Sequence, residues 1–193
     1  MTDGSLPRDT DESRIAPVEP ERLTDEGRAV FDRIAESRGR VAGPFSLLLH
    51  VPELADRVQR VGAYLRYEAT LARDVAELAV LVTARVWRSE FEWDAHEAHA
   101  RRAGIPDEVI EALRADAEDQ ITDARLRAIV KFTRSLATSA RVPAATYRVI
   151  LDELAIDGTV ELTLLVGYYT MLAMTLGGHG LESDPATPDQ HDG

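Results

Sequence analysis

Cysteine is absent from this sequence of 193 residues. Without a thiol the chain cannot form a disulfide bond, ligate a metal through sulfur or use a cysteine nucleophile. It also cannot carry out dithiol redox chemistry, in which one thiol is oxidised and a second thiol resolves it. Any catalysis by this chain must therefore use other side chains.

Positive charge is also scarce. The 22 Lys and Arg residues stand against 34 Asp and Glu residues, which gives a formal net charge of -12 at pH 7. A field of this sign repels phosphate backbones and anionic lipid surfaces, so the composition argues against nucleic-acid and membrane partners. A small-molecule substrate or a protein partner remains.

Long apolar segments are missing as well. The N-terminal segment has neither a basic region nor an apolar core, so it is not typical of a signal peptide or a membrane anchor. The longest apolar run, residues 162–178, contains Thr, Gly and Tyr and is shorter than the roughly 20 residues that a membrane span needs. These features predict a cytoplasmic protein in which this run forms a core or subunit-interface helix.

The length of the chain is typical of one domain. Residues 1–20 and 183–193 are rich in Asp, Pro, Gly, Ser and Thr, which predicts disordered tails on either side of a helical domain at residues 21–182. No segment alternates apolar and polar residues between hairpin signals, so the fold class is all-α. We expect a single-domain bundle of six to eight helices.

Start and stop signals divide this domain into helices. Thr24 and Gly39 bound a first amphipathic helix, and Pro52 opens another. Asp74 is predicted to cap a long apolar helix, which either continues to Gly104 or breaks near residues 87–89. The other predicted helix starts are marked by proline or by a capping residue: Pro106, Thr122, Asp123 and Pro143.

Two apolar segments, residues 76–93 and 160–177, resemble each other. Their alignment places Glu77 over Glu161 and "ELAVLV" over "ELTLLV", which indicates a weak internal helical repeat. The second copy has small or apolar residues at four polar positions of the first: Ser89, Glu90, Glu92 and His96 match Ala173, Met174, Leu176 and Gly180. The shared helix alone therefore does not require these polar groups.

Four polar residues in the first copy follow a distinct spacing. Glu77 is followed by Ser89 after 12 positions, by Glu92 after three more and by His96 after four more. Glu92 and His96 lie at i and i+4, so they share a helix face and their side chains can hydrogen-bond. Glu77 lies near the start of the apolar helix, where a carboxylate is either a first-turn partner of backbone donors or a buried acid.

This spacing resembles that of the carboxymuconolactone decarboxylase and alkylhydroperoxidase D-like superfamily, whose peroxidase branch carries a Glu, a Cys-x-x-Cys pair and a His four residues further on. The resemblance covers roughly residues 21–181 and includes "SEFEWDAH", "ARRAGIPDEVI" and "VELTLLVGYY". Ser89 and Glu92 occupy the two cysteine positions, so the peroxidase chemistry cannot be carried over. The resemblance implies the cysteine-less, decarboxylase-like branch, with the helical bundle of the superfamily and assembly into homotrimers or homohexamers.

The decarboxylase side of the superfamily implies a lyase reaction without a cofactor, in the breakdown of aromatic compounds. A carboxylated butenolide loses CO2 and becomes an enol-lactone. No metal is needed, because the conjugated lactone carbonyl can take the electron pair as a dienolate. The protein must hold the carboxylate, stabilise the oxyanion and deliver a proton to carbon.

The resemblance also implies roles for individual residues. His96 is expected to be the general acid that protonates carbon, Glu92 to orient and tune His96, and Glu77 to position His96 or a water molecule.

Three further residues are candidates for binding the substrate. Ser89 is expected to donate a hydrogen bond, and Arg85, one helical turn earlier, is the nearest cation for an anionic substrate. His50 ends an apolar run and is a candidate for lining the same pocket.

Other interpretations of these residues stay open. The chain could be a catalytically silent scaffold or small-molecule-binding protein that kept the fold. Glu92, His96 and His99 lie at i, i+4 and i+7, which places possible metal ligands on one stripe, although ligands from a single helix splay apart along its axis. Glu77 could have a structural role only, as its counterpart Glu161 suggests.

Overall fold

The computed structural model describes residues 14–181 of the chain. These residues form eight α-helices and no β-strand: α1 (Asp25–Arg38), α2 (Pro44–Leu48), α3 (Pro52–Ala63), α4 (Arg73–Trp87), α5 (Glu90–Arg102), α6 (Asp107–Arg114), α7 (Ala124–Ser139) and α8 (Ala144–His179). A π-helical turn, Tyr64–Glu68, continues directly from α3. The predicted all-α class is therefore confirmed.

Capping interactions place two helix starts where the sequence predicts them. Thr24 accepts a hydrogen bond of 3.2 Å from the N–H of Gly27 at the start of α1, and Gly39 ends this helix in the left-handed conformation. Asp123 accepts a bond of 2.9 Å from the N–H of Leu126 at the start of α7. Each cap satisfies a backbone donor that the helix itself leaves without a partner.

The predicted cap of the apolar helix is wrong. The N-cap of α4 is Ala72, and Asp74 lies inside the first turn. Its carboxylate accepts a hydrogen bond of 2.9 Å from the N–H of Val75 and pairs with Arg125 of α7 at 2.5 Å. Asp74 therefore ties α7 to the start of α4 instead of capping a helix.

The apolar helix breaks before the polar stretch that follows it. Arg88 has a φ of 52°, a left-handed conformation that ends a helix and that few non-glycine residues adopt. Only Arg88 and Ser89 separate α4 from α5. The two helices pack closely against each other, which brings side chains 15 to 20 positions apart in sequence within reach.

The closing helix α8 contains a break at Ala155, whose φ is 56° and ψ is -172°. Thr159 donates a hydrogen bond of 2.7 Å from its hydroxyl to the carbonyl of Ala155 just after this break. The break separates the segment that follows Pro143 from the apolar segment predicted to close the fold. Neither α8 nor any other helix of residues 14–181 combines the length and apolarity that a membrane span requires.

Helix α4 lies at the centre of the fold. It packs against α5, α7 and α8, and every residue from Val75 to Ala84 is buried. A helix that is apolar on all sides is stable only when other helices surround it. The position of Glu77 in this helix therefore places its carboxylate inside the core.

Residues 14–20, which the sequence assigned to the N-terminal tail, contact the helical body. The N–H of Arg14 donates to the carbonyl of His179 at 2.8 Å, and the N–H of Val18 donates to the carbonyl of Ser46 at 2.9 Å. The rest of the predicted tails, residues 1–13 and 183–193, lies outside the described residues.

Candidate active site

Three helices bring the candidate catalytic residues together. Helix α4 carries Glu77, α5 carries Glu92 and His96, and α8 carries Tyr169. Glu77 and Glu92 are each 4% exposed and His96 is 5% exposed, so none of them belongs to a solvated helix face. Ionisable side chains at this depth need hydrogen-bond or charge partners.

Glu77 and His96 form the central contact of the site. The Nδ1 atom of His96 lies 2.7 Å from Oε2 of Glu77, and Nη2 of Arg73 lies 3.4 Å from Oε1 of the same carboxylate. Burial by itself would raise the pKa of Glu77, but the hydrogen bond with His96 and the charges of His96 and Arg73 outweigh it and lower the pKa. The ionised carboxylate can only accept, so Nδ1 of His96 carries the hydrogen.

Tyr169 occupies the other nitrogen of the imidazole. Its Oη lies 3.2 Å from Nε2 of His96, and the two rings meet edge to face, with centroids 5.1 Å apart. Burial raises the pKa of Tyr169, so the phenol keeps its proton and donates to neutral His96. A proton on Nε2 would reverse this bond, with His96 then donating to the phenol oxygen.

Glu92 lies beside this pair without a hydrogen bond to His96. Its Oε2 is 3.9 Å from Nε2 of His96, which exceeds hydrogen-bond distance, so the expected orienting bond within α5 is not formed. Burial raises the pKa of Glu92 to about 7, against the positive charges of Arg66 and Arg38, which lower it. Near neutral pH this carboxyl is therefore poised between its two protonation states.

Two arginines that no sequence motif marks complete the cluster. Arg38 ends α1 and donates from Nη2 to Oη of Tyr168 at 3.1 Å. Arg66 lies in the π-helical turn Tyr64–Glu68. Turns of this kind are frequent at functional sites, but no local sequence pattern marks this one.

Gly62 makes room for the contact between Arg38 and Tyr168. A Cβ atom on Gly62 would lie 2.2 Å from Oη of Tyr168 and 2.6 Å from Nη2 of Arg38. A glycine inside a helix costs stability relative to alanine, so its presence often marks a close approach. Gly62 was the one sequence signal that could have led to this pair.

Glu161, the repeat counterpart of Glu77, has structural partners. Its carboxylate accepts hydrogen bonds from the hydroxyl of Tyr64 at 2.8 Å, from the N–H of Thr70 at 2.9 Å and from the hydroxyl of Thr70 at 2.7 Å. These bonds hold the start of the π-helical turn and the residue Thr70 that follows it against α8. The two matching carboxylates therefore make different contacts in the same fold.

The three candidate substrate-binding residues lie outside the cluster of Glu77 and His96. Arg85 and Ser89 line a surface cleft that the catalytic candidates do not line, and Arg85 forms two hydrogen bonds with Asp116, at 3.2 and 2.6 Å. His50 is exposed, and its Nε2 lies 2.9 Å from the carbonyl oxygen of Ala16.

The metal interpretation finds no support in the arrangement of the described residues. Between residues 14 and 181 no group of three or more His, Asp or Glu side chains is placed to hold a metal ion. His99 instead packs its ring against that of His96, with centroids 5.8 Å apart.

One family model matches this chain. The model of the carboxymuconolactone decarboxylase family matches residues 52–135, which run from the start of α3 into α7 and include Glu77, Glu92 and His96. No curated protein matches the chain significantly.

Several solved structures share the fold over most of their length. An alkylhydroperoxidase AhpD core protein from Ralstonia eutropha JMP134, described as peroxidase-related, is 17% identical, with a TM-score of 0.73 over 90% of this chain and 93% of that chain. A peroxidase-related protein from Silicibacter sp. TM1040 is also 17% identical, with a TM-score of 0.72 over 94% and 96%. A variant of the debrominase Bmp8, in complex with 2,3,4-tribromopyrrole, is 13% identical, with a TM-score of 0.72 over 91% and 95%.

At these identities the structural likeness establishes the fold. The family match adds a sequence relationship over the segment that carries the buried Glu77 and His96. Residues 52–135 of this cysteine-less chain are therefore similar to the carboxymuconolactone decarboxylase family, and its fold is that of alkylhydroperoxidase AhpD-like proteins.

Proposed function

We propose that this protein is a cofactor-free lyase that removes CO2 from a small carboxylated lactone of the 4-carboxymuconolactone type. The observation that supports it most is the buried hydrogen bond of 2.7 Å between Glu77 and His96, with Glu92 beside the second imidazole nitrogen. This arrangement can hold and deliver a proton without a thiol.

His96 is the proposed general acid. When the bond between the ring carbon and its carboxylate breaks, the electron pair enters the conjugated lactone as a dienolate and CO2 leaves. The dienolate then takes a proton at a ring carbon. Nε2 of His96 is the proposed donor, because Glu77 holds Nδ1 and its ionised carboxylate stabilises the imidazolium.

Glu92 is proposed to tune the charge of the site. Burial raises the pKa of Glu92 to about 7, so its neutral, protonated form prevails below about pH 7. This neutral form does not repel an anionic substrate. In its ionised form it would repel that substrate. Glu77, rather than Glu92, has the orienting role toward His96.

A similar structure supports a small ring as the ligand. The debrominase Bmp8 variant is in complex with 2,3,4-tribromopyrrole, a five-membered ring like that of a butenolide. The shared fold is therefore compatible with a ligand of this size.

A catalytically silent binding protein is the second candidate. The contact of Tyr169 with Nε2 of His96 at 3.2 Å favours it, because the phenol occupies the nitrogen that would deliver the proton. For the lyase, the substrate must displace this bond or take the proton through the phenol oxygen.

Turnover of γ-carboxymuconolactone distinguishes the two candidates. We expect the protein to accelerate the ultraviolet decay of lactone generated in situ and to release one CO2 per lactone. In D2O the enol-lactone should carry one deuterium at the protonated carbon, because the proton comes from a solvent-exchangeable group. Decay no faster than in protein-free buffer would contradict the lyase and leave the binding protein.

We also propose that the protein assembles into a homotrimer or homohexamer. Helix α8 exposes apolar side chains at spacings of three, four or seven residues: Ile156, Val160, Leu164, Met171 and Met174. An apolar stripe of this kind is typical of a subunit interface. Tyr168 and Tyr169, which lie in the apolar run predicted to form a core or subunit-interface helix, are buried in the core.

Light scattering tests the assembly. We expect a mass of three or six chains for the wild type and a smaller species for Leu164→Glu, since a charge in the stripe opposes burial. Leu54→Glu, at an exposed position of α3, is the matched control and should keep the wild-type mass. A monomeric wild type would contradict the proposal.

A further inference from the structure

Two guanidinium groups in the cluster have unused donors. Arg38 and Arg66 are both half-buried. In the part of the chain that the structure describes, the Nε atom of each is buried without a hydrogen-bond partner. A buried donor without an acceptor costs free energy, more so when it is charged, so such a group often marks the place of a ligand.

Arg38 is held in a defined position. Its Nη2 donates to Oη of Tyr168 at 3.1 Å, and its guanidinium carbon lies 4.2 Å from the centroid of the Phe45 ring. Gly62 leaves the space that this arrangement needs. The remaining donors of Arg38 are therefore pre-organised, which lowers the entropy cost of binding an anion.

Arg66, in the π-helical turn, interacts electrostatically with the same cluster. Its carbonyl accepts a hydrogen bond of 2.7 Å from Arg73, and its guanidinium lies 5.2 Å from the ring centroid of Tyr67. Burial would lower the pKa of Arg66, but the side chains of Tyr169, Tyr67 and Glu77 outweigh it and raise the pKa. The guanidinium therefore stays charged.

The nearby carboxylates do not satisfy this pair. Glu77 is hydrogen-bonded to His96. Glu92 feels the charges of both arginines, yet burial raises its pKa to about 7, so it is partly protonated near neutral pH. Two positive charges thus lie near a partly protonated acid and near ionised Glu77, which His96 and Arg73 already engage, in a chain whose net charge is -12. This local excess of positive charge is suited to an anionic ligand.

We propose that Arg38 and Arg66 form the anion-binding part of the site and hold a carboxylate that remains on the product. This inference rests on the proposed lyase function, whose lactone substrate carries a second, non-reacting carboxylate, and it identifies the two residues that bind this group. The positive charge that binds the anionic substrate thus comes from these two residues rather than from Arg85, which pairs with Asp116 at the surface.

The retained carboxylate is favoured over the leaving one for an energetic reason. The reacting carboxylate loses its charge as it becomes CO2. Two guanidinium groups bound to it would stabilise the ground state more than the transition state and would slow the reaction. A carboxylate that keeps its charge is bound equally in both states, so it can anchor the ring without this cost.

Binding of a non-reacting analogue tests the inference apart from turnover. The probe is (5-oxotetrahydrofuran-2-yl)acetate, which has the lactone ring and one carboxylate but no ring double bond to form a dienolate. By calorimetry on the full-length protein we expect the acid to bind at least about 10-fold more tightly than its methyl ester, as for hydrogen bonds to a charged group. Inorganic phosphate, the other simple anion, should bind more weakly than the acid.

Variants assign the binding to the pair. Arg38→Gln and Arg66→Gln should each weaken binding of the acid at least about 10-fold and leave the affinity for the ester unchanged. Arg57→Gln, at an exposed ion pair on α3, is the matched control, and Arg85→Gln tests the surface alternative. The proposal is overturned if the wild type does not prefer acid to ester, if phosphate binds as tightly as the acid, or if only Arg85→Gln weakens binding.

Proton uptake gives a second measurement that needs no arginine variant. The charged and titratable groups that act on Glu92 come from several elements of the fold: Arg38 from α1, Arg66 from the π-helical turn, His96 from α5, and Tyr168 and Tyr169 from α8. Glu77 of α4 is hydrogen-bonded to His96. A carboxylate bound to the arginines should favour protonated Glu92, so binding at about pH 7.5 should take up protons. Calorimetry in two buffers of different ionisation enthalpy measures this. Uptake should be lost in Glu92→Gln, and the absence of uptake by the wild type would count against the proposal.

The two proposals can fail separately. If the lactone is not turned over but the acid binds through Arg38 and Arg66, the anion site stands and the lyase does not. If the lactone is turned over and both arginine variants keep the wild-type KM, the lyase stands and the anion site does not.

Discussion

Turnover of γ-carboxymuconolactone is expected to fall about 10³-fold when His96 is replaced by alanine, within the range that positioned general acids contribute. His96 is the proposed proton donor, since Glu77 fixes its orientation and an imidazole can carry a transferable proton. Burial raises the pKa of Tyr169, so the phenol is a poor source of that proton. Initial rates of ultraviolet decay at about pH 6.5 measure the effect.

The control for this variant must separate lost chemistry from lost structure. Removing His96 leaves the carboxylate of Glu77 buried without its donor, which costs about 1–3 kcal/mol of stability. His96→Gln keeps an N–H that can donate to Glu77 but has no proton to transfer, and we expect it to be as inactive as the alanine variant. His179→Ala, at the last residue of α8 and ten positions beyond Tyr169, should keep the wild-type rate. If both His96 variants are folded by circular dichroism and retain turnover, His96 is not the general acid.

Stability at pH 8 is expected to rise by up to about 3 kcal/mol when Glu92 is replaced by glutamine. Burial raises the pKa of Glu92 from the ordinary value of 4.5 to about 7. At pH 8 the folded protein therefore holds an ionised carboxylate in a buried place, whereas the unfolded chain exposes it to water. Glutamine fills the same space without the charge and removes this cost.

The direction of the pH dependence follows from proton binding. Between pH 4.5 and about 7 the folded state keeps the proton on Glu92 while the unfolded state loses it. The contribution of Glu92 to stability is thus fully present below about pH 4.5, falls as the pH rises and is lost above about pH 7. The advantage of Glu92→Gln should therefore be small at pH 5 and largest at pH 8.

Urea unfolding of wild type and Glu92→Gln at pH 5, 6, 7 and 8 measures this difference. Glu90→Gln, exposed on the same helix, is the matched control and should show no such gain with pH. A Glu92→Gln variant that is less stable than the wild type at pH 8, or that differs by the same amount at every pH, would contradict the buried, raised-pKa carboxyl. A functional residue that costs stability is common at active sites.

The helices of this protein could largely be predicted because their signals are local. Thr24, Gly39 and Asp123 act on backbone groups within a few residues, so the sequence contains both partners of each contact. Asp74 was misplaced because its strongest partner, Arg125, comes from another helix. No local pattern carries that information.

The candidate site could be predicted in part. The spacing of Glu77, Glu92 and His96 in the sequence led to three residues that the structure brings together. The sequence predicted that Glu92, in the same helix, orients His96, but Glu92 lies 3.9 Å from His96. The hydrogen bond of 2.7 Å joins His96 of α5 to Glu77 of α4. Spacing shows which residues share a face, whereas the crossing of helices decides which side chains meet.

The sequence by itself determined that the protein is all-α, that thiol chemistry is excluded and that Glu77 and His96 are the residues to examine. Composition, helix periodicity and motif spacing are properties of the chain before it folds. Only the tertiary structure decided that Tyr169 contacts His96, that the charges of Arg38 and Arg66 act on Glu92, and that Arg85 pairs with Asp116 instead. These contacts join side chains from different helices, and the pKa of Glu92 depends on burial, which exists only once the helices have packed around it.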